Sequence, residues 1–510
     1  MVGTASPPRE RTARPERWLD GRAMPLVPAA VALAVALAGI RGPSYWLDEA
    51  ATVSMAGRPV PEMLRAFGNL DLVHALYYLM LRPWAMVFGT GEPALRVPSA
   101  LAAAAAAAGV AVIGRRCLGP GTGLLAGLVY GASVSVCRFA QEARPYAMVA
   151  AVAVLATYLL IRGMREGERH PWAWFAGYGA AVAVLGLLNL NGLFLVPAHG
   201  ITLLLARTGA PRTWVRWPVV TGLTGVALLP FALAAQDQKF QVEWLTEPSW
   251  ATVWTLVQFM AGGRRLVAPV VALLVLGAVT GRSPRAAEPA SLAAVAAPWL
   301  VAPPALLLLV SVLAEPMFTY RYVVFSLPAL ALLVGAGLAR LAALGRPAAG
   351  AALLAVATAA VVVPTLPEHA AIRRQDSRLD DLRTPADIVR DRARDGDAIL
   401  YLAGVVRWNA SAYPDAFGRL RDIGMREDPV SAANLKGRDR FPRDLRAPLR
   451  REPRLWVMGS RSLGRPLEPP VVRRNQIVQE SGPWRIAGHW NYRGGNITLY
   501  VRTAPYRTSK

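Results

Sequence analysis

Carboxylates, a histidine and arginines stand in short polar segments of an otherwise apolar chain. Carboxylates can act as general bases, and arginines bind anions such as phosphates. The segments are Trp46-Leu47-Asp48-Glu49, Asp71-x-x-His74, Arg96, Gln141-Glu142-Ala143-Arg144-Pro145-Tyr146, Glu315 and Tyr320-Arg321-Tyr322. Ionisable groups at the edge of a membrane are costly and tend to be functional. Their role therefore depends on whether the surrounding elements bring them to one face of a membrane.

Asp48 and Glu49 are adjacent, which limits what the pair can do. Asp48 precedes an Ala-rich run that predicts a helix, so it could simply be the helix N-cap. On a helix, two adjacent side chains point about 100° apart. Only one of the two carboxylates can therefore face the centre of a cavity squarely.

The other candidates also have structural interpretations. His74 lies on an apolar segment and could be a hydrogen-bonded core histidine. Arg144 and Arg321 could be interface anchors whose charged ends reach water, and Arg96 could mark the start of a helix. The aromatic residues nearby are typical of the belt at a membrane surface: Trp46, Tyr77 and Trp84.

The composition indicates an integral membrane protein. Of 510 residues, 54% are hydrophobic and 17% are charged, whereas a soluble domain has about 25% charged residues. A net charge of +23 would suit a nucleic-acid binder, but the basic residues are spread along the chain, so we expect no nucleic acid. The only cysteines, Cys117 and Cys137, exclude a disulfide framework and would be about 30 Å apart on one helix.

The apolar runs predict a polytopic α-helical membrane protein with about eleven transmembrane helices. The first run, Met24–Ile40, resembles a signal peptide near Ala36-Leu37-Ala38, but the many later runs favour an uncleaved anchor. The later runs are residues 97–113, 121–137, 147–161, 172–188, 192–206, 218–235, 266–280, 291–313, 323–341 and 348–363.

One further apolar segment, residues 72–88, decides the topology. If it does not cross the membrane, most loop arginines gather on the cytoplasmic side, as the positive-inside rule requires. We therefore predict interfacial helices there, within an external loop of residues 41–96. The N-terminus would then be cytoplasmic and the C-terminus outside the plasma membrane. All the candidate residues would face the outer compartment and could share a cavity.

The polar C-terminal part predicts an extracytoplasmic α/β domain. The predicted domains are a disordered cytoplasmic tail at 1–23, a transmembrane catalytic domain at 24–363, the α/β domain at 364–502 and a flexible tail at 503–510. Thr384–Arg394 predicts a helix in the α/β domain. Ala398–Leu402 and Leu455–Met458 predict buried strands. Trp484–Trp490 and Asn496–Arg502 predict a hairpin turned at Gly494-Gly495.

The order of the motifs resembles that in the GT-C membrane glycosyltransferases. The resemblance is to the dolichyl-phosphate-mannose protein mannosyltransferases and their bacterial, actinobacterial-type relatives. The motifs are WLDE at 46–49, Asp71-x-x-His74 before Tyr77-Tyr78, FG at 88–89, RVPSAL at 96–101, EARPYA at 142–147 and RY at 321–322. The likeness covers roughly residues 24–340 and rests on the motifs together. One departure is His74-Ala75-Leu76, where many relatives have His-Pro-Pro-Leu.

The resemblance implies transfer of a sugar, mannose or arabinose-like, from a polyprenyl-phosphate donor to an acceptor hydroxyl outside the membrane. A single displacement would invert the anomeric carbon. Asp48 would be the base with Glu49 in reserve, and the donor phosphate would be bound by Arg144, Arg321 and Arg96. The sugar or acceptor pocket would be lined by Asp71, His74, Tyr77, Glu142 and Tyr146. The acceptor would be an envelope glycan, lipid or protein.

Two other functions stay open on the sequence alone. A transporter or flippase usually shows inverted repeats and broken helices at mid-membrane, whereas here the charged residues lie at the outer edge and no repeat is visible. An envelope scaffold would need far fewer spans. No organic cofactor is expected. A divalent cation held by Asp48 and Glu49 is a further alternative, although the ligand set is incomplete. Glu315 is also available to pair with Arg321.

Overall fold

The structure, a computed structural model, describes residues 21, 23–165, 168–206, 211–243, 245–282, 288–460 and 469–503. The predictions for the two tails, residues 1–23 and 503–510, fall almost entirely outside these residues. In the described part, a bundle of apolar helices is followed by a small domain built on a mixed sheet.

Apolar runs rich in Ala, Leu and Val form most of the helices of the bundle. In chain order, the helices are α1 Leu26–Leu37, α2 Leu47–Ala56, α3 Val60–Phe67, α4 Ala75–Phe88, α5 Glu92–Cys117, α6 Pro120–Ala132, α7 Val134–Ala140, α8 Tyr146–Met164, α9 Pro171–Leu188, α10 Leu195–Leu205, α11 Thr213–Gln236, α12 Trp250–Ala261, α13 Val267–Thr280, α14 Leu292–Leu313, α15 Leu327–Ala342, α16 Pro347–Val362 and α17 Thr365–Ala371. Small residues let them approach closely: a methyl group at Gly123 in α6 would overlap the backbone of Ala111 in α5.

The predicted multi-pass membrane architecture is confirmed. Among the described residues, seven helices are long and apolar enough to cross a membrane, or nine if two bent pairs each form one span. Two further predicted spans correspond to the shorter apolar helices Leu26–Leu37 and Leu190–Leu205. The count of about eleven therefore stays a prediction.

Two segments differ from the uninterrupted runs expected. The predicted span 121–137 is broken between α6 and α7, which are bent by 59° at Ser133. The Ser133 side chain accepts a hydrogen bond from the Val136 amide and so caps the second helix. Helix α12 was not predicted, and it turns by 75° into the segment Arg264–Thr280. Gly262 and Gly263 lie between them with φ of 90° and 145°, a region that favours glycine.

The ambiguous segment 72–88 is helical. A 3₁₀ turn, Leu72–His74, leads directly into α4, and the pair is shorter than the seven long helices. The end of α4 exposes Met86 and Val87, 69% and 74% accessible. This apolar exposed end fits a helix that lies along the membrane surface.

The C-terminal domain has the predicted α/β character. Its helices are α18 Arg383–Arg392, α19 Trp408–Ala412, α20 Pro414–Phe417, α21 Arg446–Arg451 and α22 Pro469–Glu480. Its strands are β1 Ala398–Tyr401, β2 Arg421–Asp422, β3 Met425–Glu427, β4 Arg438–Asp439, β5 Arg454–Ser460, β6 Trp484–Tyr492 and β7 Gly495–Arg502. The main sheet has the order β2-β1-β5-β7-β6, with β1 parallel to β2 and β5, and β7 antiparallel to β5 and β6. Separate apolar clusters cover its two faces.

The predicted hairpin is present, with its turn one residue earlier than expected. Tyr492 pairs with Gly495, so Arg493 and Gly494 form the turn, and Gly494 has φ of 104°. The small domain also packs directly on the helices, because Leu382 and Ala412 belong to the core cluster of the bundle.

Candidate active site

Two neighbouring carboxylates lie in the first turn of α2, where the helix dipole favours negative charge. Trp46 is the N-cap, so Asp48 is inside the helix rather than its cap. The two side chains meet different arginines: Asp48 contacts Arg321, and Glu49 contacts Arg96.

Glu49 and Arg96 form a fully buried pair, with both side chains 0% exposed. The guanidinium donates through Nε to Oε1 at 2.8 Å and through Nη2 to Oε2 at 2.7 Å. The amide of Ala143 donates to Glu49 Oε1 as well, at 2.8 Å. Backbone carbonyls take the remaining donors of Arg96, those of Ile40 and Pro43 at 2.9 Å and that of Ser44 at 3.2 Å.

This geometry disagrees with the two roles expected from the resemblance. Glu49 as a reserve base would need access to an acceptor, and Arg96 as a phosphate ligand would need free donors. Both side chains are enclosed and hydrogen-bonded to each other. The contacts of Glu49 and Arg96 instead fit a structural role, joining α2, α5 and the loop before α2.

Asp48 and Arg321 meet in a more open place. Arg321 lies on the 3₁₀ turn Tyr320–Ser326, and its Nη1 donates to Asp48 Oδ2 at 2.7 Å. The side chains of Asp48 and Arg321 are 26% and 13% exposed. Glu315, the alternative partner of Arg321, instead pairs with Lys239 at an exposed position.

Arg144 is the second arginine of this cluster. Its Nη1 donates to the backbone oxygen of Asp48 at 3.3 Å and to the hydroxyl of Tyr78 at 3.1 Å. Its Nη2 lies 2.6 Å from Nε2 of His74, and because a guanidinium only donates, this nitrogen must accept. Burial, followed by the positive charges of Arg144 and Arg321, lowers the pKa of His74 well below its usual value. His74 is therefore neutral.

Asp71 closes the network on the far side of Tyr78. The Tyr78 hydroxyl donates to Asp71 Oδ2 at 2.7 Å, and burial raises the pKa of Asp71. The backbone of Asp71 has φ of 56°, a left-handed conformation that stores strain in a non-glycine residue. Gln241, with its amide oriented to satisfy both of its atoms, donates to Asp71 Oδ1 and accepts from the Asp71 amide.

Two glutamines that reach this network were missed in the sequence. Gln238 donates to the carbonyl of Phe67 at 2.8 Å and accepts from the amide of Leu72 at 3.0 Å, just beside Asp71. With Gln241, it follows directly on the end of the apolar helix α11. A polar stretch at the end of a span was the available signal, but it does not reveal which loop it would meet.

The other three predicted pocket residues are buried. Tyr77, Glu142 and Tyr146 are at most 2% exposed. Tyr146 packs edge-on against Phe139 and lies near Arg321. Within the described part of the chain, neither carboxylate oxygen of Glu142 has a hydrogen-bond partner.

The residues do not fit a cation held jointly by Asp48 and Glu49. The carboxylates are engaged by arginines on different elements, and Glu49 is enclosed. Across the described ranges, no group of three or more His, Cys, Asp or Glu residues is arranged to hold a metal ion. We derive no catalytic step through a metal.

Comparison with known families gives one sequence match. Residues 75–234 match the family of dolichyl-phosphate-mannose-protein mannosyltransferases. The predicted resemblance is confirmed. The matched range contains α4, Arg96 and Arg144, whereas Asp48, Asp71, His74 and Arg321 lie outside it. No curated protein matches the chain by sequence.

Several solved structures share this fold over most of the chain. ArnT from Cupriavidus metallidurans in the apo state has a TM-score of 0.62 at 14% identity, and the match covers 93% of this chain and 97% of ArnT. The same protein bound to undecaprenyl phosphate gives 0.59 at 15% identity, covering 94% and 99%. The Archaeoglobus fulgidus oligosaccharyltransferase with zinc and sulfate gives 0.52 at 10% identity, covering 86% and 68%. At these identities the likeness concerns the fold.

Proposed function

We propose that the chain transfers a sugar, mannose or an arabinose-like pentose, from a polyprenyl-phosphate donor to a hydroxyl of an envelope glycan, lipid or protein. The observation that carries this proposal is the cluster at the start of α2. There a partly exposed carboxylate, Asp48, lies beside two guanidinium groups, those of Arg321 and Arg144. A base and a pair of phosphate-binding groups are what this reaction requires.

Asp48 is the proposed base. The acceptor oxygen forms a bond to the anomeric carbon while the bond from that carbon to the phosphate oxygen breaks. The proton of the hydroxyl passes to Asp48, and the electron pair leaves with the phosphate. Because a lipid phosphate is already a weak base, no general acid is needed, and one displacement inverts the anomeric centre.

Arg321 and Arg144 are the proposed ligands of the donor phosphate. A guanidinium can bind phosphate through two parallel hydrogen bonds, and it also balances the charge that grows on the leaving group. His74 and Tyr78 support this role because both contact Arg144 and fix its orientation.

The pocket around the sugar is proposed to include Asp71, His74 and Tyr146. Asp71 and His74 belong to the network of Arg144, and Tyr146 lies beside Arg321. Tyr77 and Glu142 would support the pocket from behind, since both are buried.

The proposed topology has a cytoplasmic N-terminus, about eleven spans and the reaction on the outer face of the plasma membrane. Its support is the distribution of loop arginines under the positive-inside rule. The C-terminal α/β domain would then lie outside with the site.

The test is Asp48→Asn, assayed with purified full-length protein, a polyprenyl-phosphate sugar and an envelope extract as acceptor. Loss of a general base lowers the rate by about 10²–10⁴-fold. Asp415→Asn is the matched control, because Asp415 makes an exposed ion pair in the C-terminal domain. We expect the control to keep full activity and NMR of the product to show an inverted anomeric carbon. A fully active Asp48→Asn protein would refute the assignment of the base.

A further inference from the structure

The loop that leads into Asp48, residues 41–46, is held from two sides by arginines. Arg96, from the bundle, donates to the carbonyls of Pro43 and Ser44 and of Ile40 just before the loop. Arg383, the first residue of α18 in the C-terminal domain, donates to the carbonyls of Arg41 at 2.8 Å, Gly42 at 3.2 Å and Pro43 at 3.0 Å. The loop therefore lies between two guanidinium groups that belong to different domains.

Each of these arginines is itself anchored by a glutamate. Glu49 holds Arg96, as described above. Glu92, at the start of α5, holds Arg383: Nε donates to Oε1 at 3.2 Å, and Nη2 donates to Oε2. The hydroxyl of Tyr413 donates to the same carboxylate. The side chains of Arg383 and Glu92 are 23% and 12% exposed, so the pair is largely shielded from water.

Further hydrogen bonds join the C-terminal domain to the rest of the loop and to the start of α2. The amide of Leu382 donates to the carbonyl of Tyr45 at 3.2 Å, and the amide of Arg383 donates to the hydroxyl of Ser44 at 2.8 Å. Asp380 Oδ2 accepts from the amide of Leu47, the first residue of α2, at 3.5 Å. The C-terminal segment thus follows the loop to the residue before Asp48.

The loop 41–46 packs closely against the segment 373–375 that precedes the C-terminal domain. The amide of Ser44 donates to the carbonyl of Gln375 at 3.0 Å. A methyl group added at Gly42 would overlap the carbonyl oxygen of Arg373, so only glycine allows this approach. The loop has no regular secondary structure between α1 and α2, and these contacts supply the order that helix hydrogen bonds would otherwise give.

We infer that Arg383, anchored by Glu92, is a positioning residue for Asp48: the C-terminal domain clamps the loop 41–46 and thereby fixes the start of α2. For this reaction, the inference rests on the proposed function. The physical reason is that the transfer step depends on the exact position of its catalytic group: a displacement of about 1 Å can lower the rate by about 10²-fold. The C-terminal domain then contributes to the reaction by positioning Asp48.

The experiment compares Arg383→Gln, Arg383→Lys and Glu92→Gln with wild type, all as full-length protein in detergent. Arg390→Gln is the matched control, because Arg390 is on the same helix α18 but pairs with Asp387 and Asp415 at the surface. Two quantities are measured: kcat and KM for the donor, and hydrogen–deuterium exchange of peptides covering residues 41–56. Amide exchange reports local opening directly.

We expect Arg383→Gln to lower kcat by about 10–100-fold, to change the donor KM by less than about threefold and to speed exchange in residues 41–56. Arg383→Lys should be intermediate, because a lysine keeps the charge opposite Glu92 but cannot donate to three carbonyls in a fork. Glu92→Gln should lower kcat less than Arg383→Gln, since an amide oxygen still accepts from Arg383. The control should match wild type in both measurements.

Several results would overturn the inference. One is wild-type kcat and exchange in Arg383→Gln; another is an equal loss in Arg390→Gln, which would mean a general loosening of the domain. Full activity in Arg383→Lys would mean that the charge alone suffices. If Arg383→Gln does not fold, the lysine variant decides. A wild-type protein without transfer activity would refute the proposed function, whereas the exchange measurement would still test the clamp.

Discussion

Asp48 and Glu49 are adjacent in the chain, have the same chemistry and each bind an arginine, yet their surroundings differ. The Glu49–Arg96 pair is completely buried, and Glu49 also accepts a hydrogen bond from the amide of Ala143. The Asp48–Arg321 pair is partly exposed and lies beside a third charged group, Arg144. The first pair has the geometry of a structural joint, and the second is the proposed reaction centre.

The difference shows that residue type alone does not assign a role. One helical position turns a side chain by about 100°, which separates a carboxylate in contact with solvent from one in the core. A buried ion pair loses much of its Coulomb energy to desolvation, so its removal as a pair costs little, but the loss of one partner is severe. The comparison therefore predicts that substitution of Glu49 mainly lowers stability, whereas substitution of Asp48 mainly lowers activity.

The largest effect is expected from Glu49→Ala. This change leaves the charge of Arg96 buried without its carboxylate, which costs about 3–5 kcal/mol. Asp48→Ala leaves Arg321 in a more open place and should cost less than Glu49→Ala. Thermal unfolding of both variants in detergent tests the contrast, and equal destabilisation by the two changes would remove the distinction between the pairs.

A smaller effect, confined to activity, is expected from Arg321→Gln. Loss of one preorganised donor to a developing negative charge lowers kcat by about 10²–10³-fold. The unfolding temperature should change little because Arg321 is not enclosed as Arg96 is. Steady-state assays beside Arg446→Gln, an exposed arginine paired with Glu480, provide the control. Loss of stability together with activity would indicate that Arg321 has a structural role like that of Arg96.

The smallest effect concerns a third carboxylate, Asp380, which accepts from the amide before Asp48. Burial raises the pKa of Asp380 to about 6, with the charge of Asp48 adding to the effect. The folded protein thus binds this proton more tightly than the unfolded chain, so the ionised form destabilises the fold above about pH 6, and the penalty disappears as the pH falls toward about 4.

Asp380→Asn removes this titration. We expect the variant to be more stable than wild type by about 1–2 kcal/mol at pH 8 and equal to it near pH 4. Unfolding temperatures measured across this pH range would check the sign. A stability difference that is constant with pH would show that Asp380 does not titrate in this window.

Much of the fold could be predicted from the sequence because it depends on local patterns. Apolar runs reveal membrane helices and revealed the buried strands β1 and β5, and turn residues revealed the final hairpin, whereas the short strands β2, β3 and β4 were not predicted. The break at Ser133 was missed because the apolar run continues across it. Helix α12 was missed because it directly precedes a second apolar segment. Only the pair Gly262-Gly263 marks the boundary between the two helices.

The site was harder to predict. The sequence indicated that only one of Asp48 and Glu49 could face a cavity, but the partner of each depends on residues 47 and 273 positions away. Arg383 and Glu92 carried no signal at all, since each stands among ordinary polar residues in a different domain. Contacts between distant segments are set by packing, and a single sequence does not record them.

The contact between the loop 41–46 and Arg383 can form only after both segments have been synthesised. Arg41 is made 342 residues before Arg383, and at about 5–20 residues per second the growing chain needs roughly 20–70 s to cover that interval. During this time the loop has only the arginine of the bundle to hold it. If the proposed function holds, a chain that lacks Arg383 would lack the contact that positions the loop before Asp48.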